Sequence, residues 1–152
     1  MTVPTPTTPD LTATDRPRPR RGWQAWTLAV VELFVGYQAF SGGQGLITDT
    51  WQLPVEWLVR TPFDSWVGPG WVLIALVGVP HLLAAVPILA LPGRAGLGIL
   101  AGVLAGASLL VWIALQLAIL QVYFFLQPVI AVIGVVELVL ALWWRRRLEA
   151  GA

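Results

Sequence analysis

Glu32, His81 and Glu137 are the residues of this chain best placed to do chemistry, and all three lie inside long apolar segments. Two carboxylates and an imidazole can pass protons, bind a cation, or hydrogen-bond to one another and set the register of helices. An ionised side chain at the centre of a membrane helix costs roughly 2.5–3.5 kcal/mol on insertion scales. A chain that keeps three of them is expected to bring them together rather than face each to lipid. Their depths agree with that expectation. Glu32 lies nine residues past Trp23, roughly 13 Å along a helix that rises 1.5 Å per residue. Glu137 lies seven residues before Trp144, roughly 10 Å from the same side. His81 lies ten residues past Trp71, roughly 15 Å from the opposite side. One layer near the midplane holds all three.

Each member of this polar cluster is flanked by small residues on its own helical face. Glu32 shares its stripe with Ala25, Ala29, Gly36, Ala39 and Gly43. Glu137 shares a face with Gly134 and Ala141, and His81 with Gly78 and Ala85. Small residues let helix backbones approach closely in a solvent that supplies no hydrophobic driving force, so the three side chains point into a bundle. Pro80 precedes His81 and removes a backbone donor, which predicts a kink there. Gly98, Gly102 and Gly106 form a GxxxGxxxG face. It serves packing within the chain or the seam of a homodimer. Gln116, Gln121 and Gln127 gather toward one end of the bundle. They either line a vestibule or bond each other and the loop backbone.

These residues need long apolar helices to position them. Of 152 residues, 57% are hydrophobic and 11% charged, against roughly 25% charged in a soluble domain. So much apolar surface cannot be buried in so small a globule, and a lipid solvent resolves the conflict. The expected fold is an all-α integral membrane four-helix antiparallel bundle. Residues 1–21 form a Thr/Pro-rich basic tail expected to be disordered. A membrane domain follows over 22–147, with spans at about 23–43, 71–91, 97–120 and 127–144, an outer loop at 44–70, and a short tail at 148–152. The rival for the first span is a cleavable signal peptide, with Ala39-Phe40-Ser41 resembling a cut site; Glu32 would interrupt its apolar core.

Orientation follows from the arginines, since the chain has no lysine. Arg16, Arg18, Arg20, Arg21, Arg94 and Arg145 to Arg147 fall on one side and Arg60 alone on the other. The positive-inside rule then puts both termini on the cytoplasmic side of a cell membrane. Trp23, Trp71, Trp143 and Trp144 at the span ends suit the interface. In the outer loop, Pro54 can open a short helix with Glu56 and Arg60 paired at i,i+4. Thr61-Pro62-Phe63-Asp64 reads as a second helix start. Trp51, Trp57 and Trp66 make that loop an interfacial cap or a lid over a ligand.

Several chemistries are excluded or unsupported. With no cysteine there is no thiolate nucleophile, disulfide or cysteine metal site. A single histidine excludes a zinc site built on several histidines. No di-metal motif is present, so no metal is assigned. No nucleophile–base–acid arrangement or phosphate-cradling glycine loop is present, so no catalytic residue is assigned and the reading leans away from an enzyme. No cofactor is specified. The RPRPRR run is better matched to anionic headgroups than to nucleic acid. The expected partners are the lipid bilayer and either a second copy or a larger membrane complex.

The strings LITDTWQLPVEWLVRTPFDSWVGPG, VGVPHLLAA and WIALQLAILQVYFFLQP resemble a set of small bacterial four-span integral membrane proteins. These share an outer LI-D…(S/T)PF…PG loop, a VG–H–AA second span and an LQP third connection. The resemblance covers about residues 40–135. It implies the four-span topology and brings no catalytic residues with it. Small multidrug exporters also carry a glutamate in the first span, as Glu32 is here, but lack so long an outer loop. DoxX-like redox-associated proteins share only size and span count. The functional expectation is a membrane protein of unassigned activity acting as an accessory or assembly subunit. The alternatives are a proton-coupled small-molecule transporter working as an oligomer, and a membrane-embedded redox-associated protein or enzyme.

Overall fold

The computed structural model is built from long apolar helices, two of which stop just before Pro92 and Gly151. The structure describes residues 22–151; the expectations for the N-terminal tail and its arginines lie outside them. Helix α1 spans Trp23–Ile47. Helix α2 spans Val67–Ala90, α3 spans Ala95–Leu120 and α4 spans Leu126–Ala150. No strand occurs among the described residues. The last three helices are long and apolar enough to cross a membrane. Helix α1 is as long, 25 residues or roughly 37 Å, but Gln24, Glu32, Gln38, Ser41 and Gln44 make it less apolar.

Short connections force an up-and-down arrangement. Residues 91–94 turn α2 into α3 with one tight turn at Pro92–Arg94, and 121–125 join α3 to α4. Gln121 closes α3 in the left-handed conformation, φ 52°. Each helix packs on its neighbours in sequence, and α1 closes the ring against α4. Thus α1 faces α3, and α2 faces α4, across the bundle axis.

Glycine sets how close the helices come. A Cβ at Gly106 of α3 would stand 2.8 Å from the Gly134 carbonyl oxygen of α4, and one at Gly134 would stand 3.1 Å from that of Gly106. Gly102 lies against Leu28 and Ala141, and Gly98 against the Trp144 ring. The GxxxGxxxG face therefore packs inside this chain. Gly36 lies under Leu82 and the Gly78 carbonyl, closing α1 onto α2.

Several local expectations are corrected. Helix α4 runs six residues past the expected end at 144, carrying Arg145–Arg147 with it and pairing Arg145 with Glu149 at 2.8 Å. Trp144 turns its ring inward, at 6% exposure, because Gly98 leaves a hollow that the ring fills. In the loop between α1 and α2, Pro54 precedes a short turn of helix at Val55–Leu58. Glu56 and Arg60 form no ion pair within 4 Å there. Thr61 starts no helix; its hydroxyl donates to the Leu58 carbonyl and accepts from the Phe63 amide, closing a turn instead. Helix α2 begins at Val67.

Around Pro80 the chain widens rather than simply kinking. Residues Ile74–Gly78 form a π-helical turn, with the Val79 amide bonded to the Ile74 carbonyl. Proline denies the turn before it an amide and crowds that turn with its ring, and a wider turn accommodates both.

Candidate functional site

Glu32, His81 and Glu137 meet at the bundle centre. Each is 0% exposed, and one ligand-type atom from each lies within 4.8 Å of the others. Three helices supply them: α1 brings Glu32, α2 brings His81 from just beyond the π-helical turn, and α4 brings Glu137. Because α2 and α4 are diagonal, His81 and Glu137 reach across the axis, and their Nε2 and Oε2 atoms stand 3.6 Å apart. Helix α3 contributes a wall rather than a polar group. A Cβ at Gly106 would lie 3.0 Å from the Glu137 Cβ, so the glycine gives Glu137 the room its stem needs. Ser108, the polar residue nearest the middle of α3, bonds the Ala105 carbonyl of its own helix and takes no part.

One bond orients the imidazole. The Nδ1 atom lies 2.7 Å from the Val77 carbonyl oxygen. A carbonyl only accepts, so Nδ1 carries the hydrogen. In the neutral ring the Nε2 lone pair then points at the Glu137 carboxylate. Both oxygens of Glu32, both of Glu137 and His81 Nε2 are buried without a hydrogen-bond partner. Buried polar groups are nearly always hydrogen-bonded, and leaving one unpaired costs about 1–3 kcal/mol, more when charged. Five such atoms on three residues, with one atom from each residue within 4.8 Å of the others, are therefore an arrangement suited to holding something positive between them.

The centre is closed on one side and approached on the other. Toward the start of α1 and the end of α4, Ala25, Leu28, Ala29, Ile88, Leu140, Ala141 and Trp144 seal it. In the opposite direction lies a cavity of about 380 Å³. Its floor is Val35, Val77, Leu109 and Ile133. Val35, Val77 and Ile133 stand one helical turn from Glu32, His81 and Glu137 respectively. Its mouth is framed by Trp51, Trp57 and Trp66 of the loop. Trp66 is held by an Nε1 bond to the Leu53 carbonyl at 3.0 Å and by an edge-on contact with Trp57.

The glutamines divide. Gln116 and Gln127 line the cavity and Gln121 does not. Gln127 bonds the loop backbone, accepting from the Phe124 amide and donating to the Val122 carbonyl. That leaves Gln116 and Gln38 as amides available to a ligand on the cavity wall. Gln38 was not singled out by sequence; its only signal is its position six residues past Glu32, on the flank of the same helix. The cavity itself has no sequence signature, because its walls come from all four helices and from the loop.

No protein-family model, curated protein or solved structure matches this chain.

Proposed function

We propose that this protein is a cation-coupled carrier of a small, largely apolar molecule. Glu32, His81 and Glu137 form the cation site, and the adjoining cavity holds the molecule. The observation behind it is the set of five buried polar atoms on three helices that make no hydrogen bond. A polar knot that only fixed helix register, or an accessory subunit that only assembled, would gain stability by closing those atoms into bonds. A carrier needs them open to its cation. Protons compete for the same three groups, so movement of the cation is coupled to movement of protons. The cavity suits an apolar body with one or two hydrogen-bonding groups, since its walls are aliphatic and indole carbon with amides at Gln38 and Gln116.

In this reading α1 also crosses the membrane. Its outward face, with Trp26, Val30, Leu33, Phe34 and Tyr37 exposed, is apolar, and its polar residues Gln24 and Glu32 turn inward. All four helices then span a cell membrane with both termini in the cytoplasm, as the arginine distribution and the resemblance to small bacterial four-span proteins favour. Alkaline phosphatase fused after Thr61 is expected to be active, and fused after Arg94 or Arg147 inactive; activity at Arg94 overturns the topology.

The functional test uses pyranine-loaded proteoliposomes under an imposed pH gradient and a panel of small apolar amines and neutral aromatics. At least one compound is expected to drive proton movement in wild type and not in Glu137→Gln. If no compound moves protons in vesicles of folded protein, proton-coupled carriage is wrong.

A further inference from the structure

We propose that Glu32, His81 and Glu137 bind one divalent first-row transition-metal ion, such as zinc. This rests on the reading of the centre as a cation site and names the cation's class. Four independent features point the same way.

The first is the orientation of His81. A metal-bound histidine nearly always donates its other ring N–H to a carbonyl, a carboxylate or water, which fixes the tautomer. Here Nδ1 donates to the Val77 carbonyl at 2.7 Å, leaving the Nε2 lone pair aimed inward. The second is spacing. Nε2 and the Glu137 Oε2 are 3.6 Å apart, too far for a hydrogen bond. Two donors held on one ion at about 2.1 Å in tetrahedral geometry stand about 3.4 Å from each other. The third is charge. Two carboxylates and a neutral imidazole carry two negative charges, and one divalent ion brings this sealed, low-dielectric centre to neutrality. The fourth is the donor set. An imidazole nitrogen with carboxylate oxygens suits zinc, iron or manganese, whereas calcium and magnesium favour all-oxygen shells. Three protein ligands leave a coordination position open, as catalytic and exchangeable sites do, and the cavity floor lies one turn away on all three ligand-bearing helices.

No sequence motif announces this site, since the chain has no cysteine and a single histidine. These ligands come from positions 32, 81 and 137, and only the packing of diagonal helices assembles them.

The experiment uses the full chain purified in detergent, stripped with a chelator and titrated with zinc or cobalt(II). One equivalent per chain is expected, with cobalt(II) giving the visible bands of a four- or five-coordinate nitrogen–oxygen site. Zinc is expected to raise the melting temperature of wild type, as any ligand of the folded state does. Magnesium is expected to have no such effect. His81→Gln, Glu32→Gln and Glu137→Gln should each bind at least about 100-fold more weakly, since even loss of a supporting outer-shell partner typically costs 10–100-fold. Each variant should still elute as wild type does. If a single variant fails to fold, the double variant Glu32→Gln with Glu137→Gln, in which no carboxylate is left buried, serves in its place. Substoichiometric binding, binding unchanged in every folded variant, or equal binding of magnesium overturns the assignment. If no metal binds while vesicles of the same protein show Glu137-dependent proton movement, the metal inference fails and the carrier reading stands. Stoichiometric metal with no coupled movement gives the reverse.

Discussion

Where α1 begins and α4 ends, Ala25, Leu28, Ala29, Ile88, Leu140, Ala141 and Trp144 fill the space between the helices. At the loop end the same helices stand around a cavity of about 380 Å³. Both ends are apolar, so composition does not separate them. The difference lies in how α3 packs against its neighbours. At the filled end Gly98 and Gly102 let α3 press onto Trp144, Leu28 and Ala141. At the open end no such run of small residues draws α3 inward: Leu109, Trp112 and Gln116 face the cavity from α3. The loop tryptophans cover the gap without filling it. The polar centre lies at the boundary, sealed from one direction and separated from the cavity by a single layer of Val35, Val77, Leu109 and Ile133.

This contrast can be broken by substitution, and the largest effect is expected where the backbones of α3 and α4 meet. Gly106→Leu places a large side chain against the Gly134 backbone, which cannot rotate away. Loss of about 4 kcal/mol or more is expected, read as failure to recover monodisperse protein or as collapse of the melting transition. Leu104→Ile, on the exposed side of the same helix, should be mild. A wild-type Gly106→Leu would mean that α3 and α4 do not touch there.

The next effect is at the centre itself. Glu137→Leu leaves His81 buried without the carboxylate that faces it at 3.6 Å and should cost about 3–5 kcal/mol. Glu137→Gln should cost less, since the amide still offers a donor to Glu32. In the cycle of Glu32→Gln and Glu137→Gln, the pair should deviate from additivity by about 0.5–3 kcal/mol. Additive values would mean that the two carboxyl groups do not interact.

The two ends are then compared by the same change. Ala141→Leu overfills the packed end and should destabilise by about 1–3 kcal/mol. Ala39→Leu projects into the cavity and should be neutral or stabilising by about 0.5–2 kcal/mol, as cavity-filling changes are. Thermal unfolding in one detergent decides both; equal losses would erase the distinction between the ends. Smallest of all, Glu149→Ala removes an exposed pair with Arg145 and should shift stability by about 0.5 kcal/mol or less.

The meeting of Glu32, His81 and Glu137 was legible because a helix converts residue number into depth at a constant rise, and tryptophans mark where counting starts. The glycine stripes were legible for a related reason, since their period of four repeats the helical face. The inward turn of Trp144 was not legible because its type suits the interface as well as a hollow, and only the Gly98 it faces decides between them. The loop around Thr61 was misjudged because the same Thr-Pro-x-Asp pattern closes a turn as readily as it caps a helix.

By itself the sequence determined a helical protein with at least three segments apolar enough to cross a membrane, and the layer in which its ionisable side chains lie. Those are one-dimensional properties, carried by local hydropathy and by a constant rise per residue. Tertiary structure alone decided that His81 and Glu137 reach each other from diagonal helices. It also decided that the Val77 carbonyl turns the imidazole nitrogen inward, that Gly106 gives Glu137 its room, and that a cavity forms between the helices at the loop end. Each of these depends on the separation and rotation of helices that are distant in the chain. That geometry is set by the summed packing of all four helices, and no single segment encodes it.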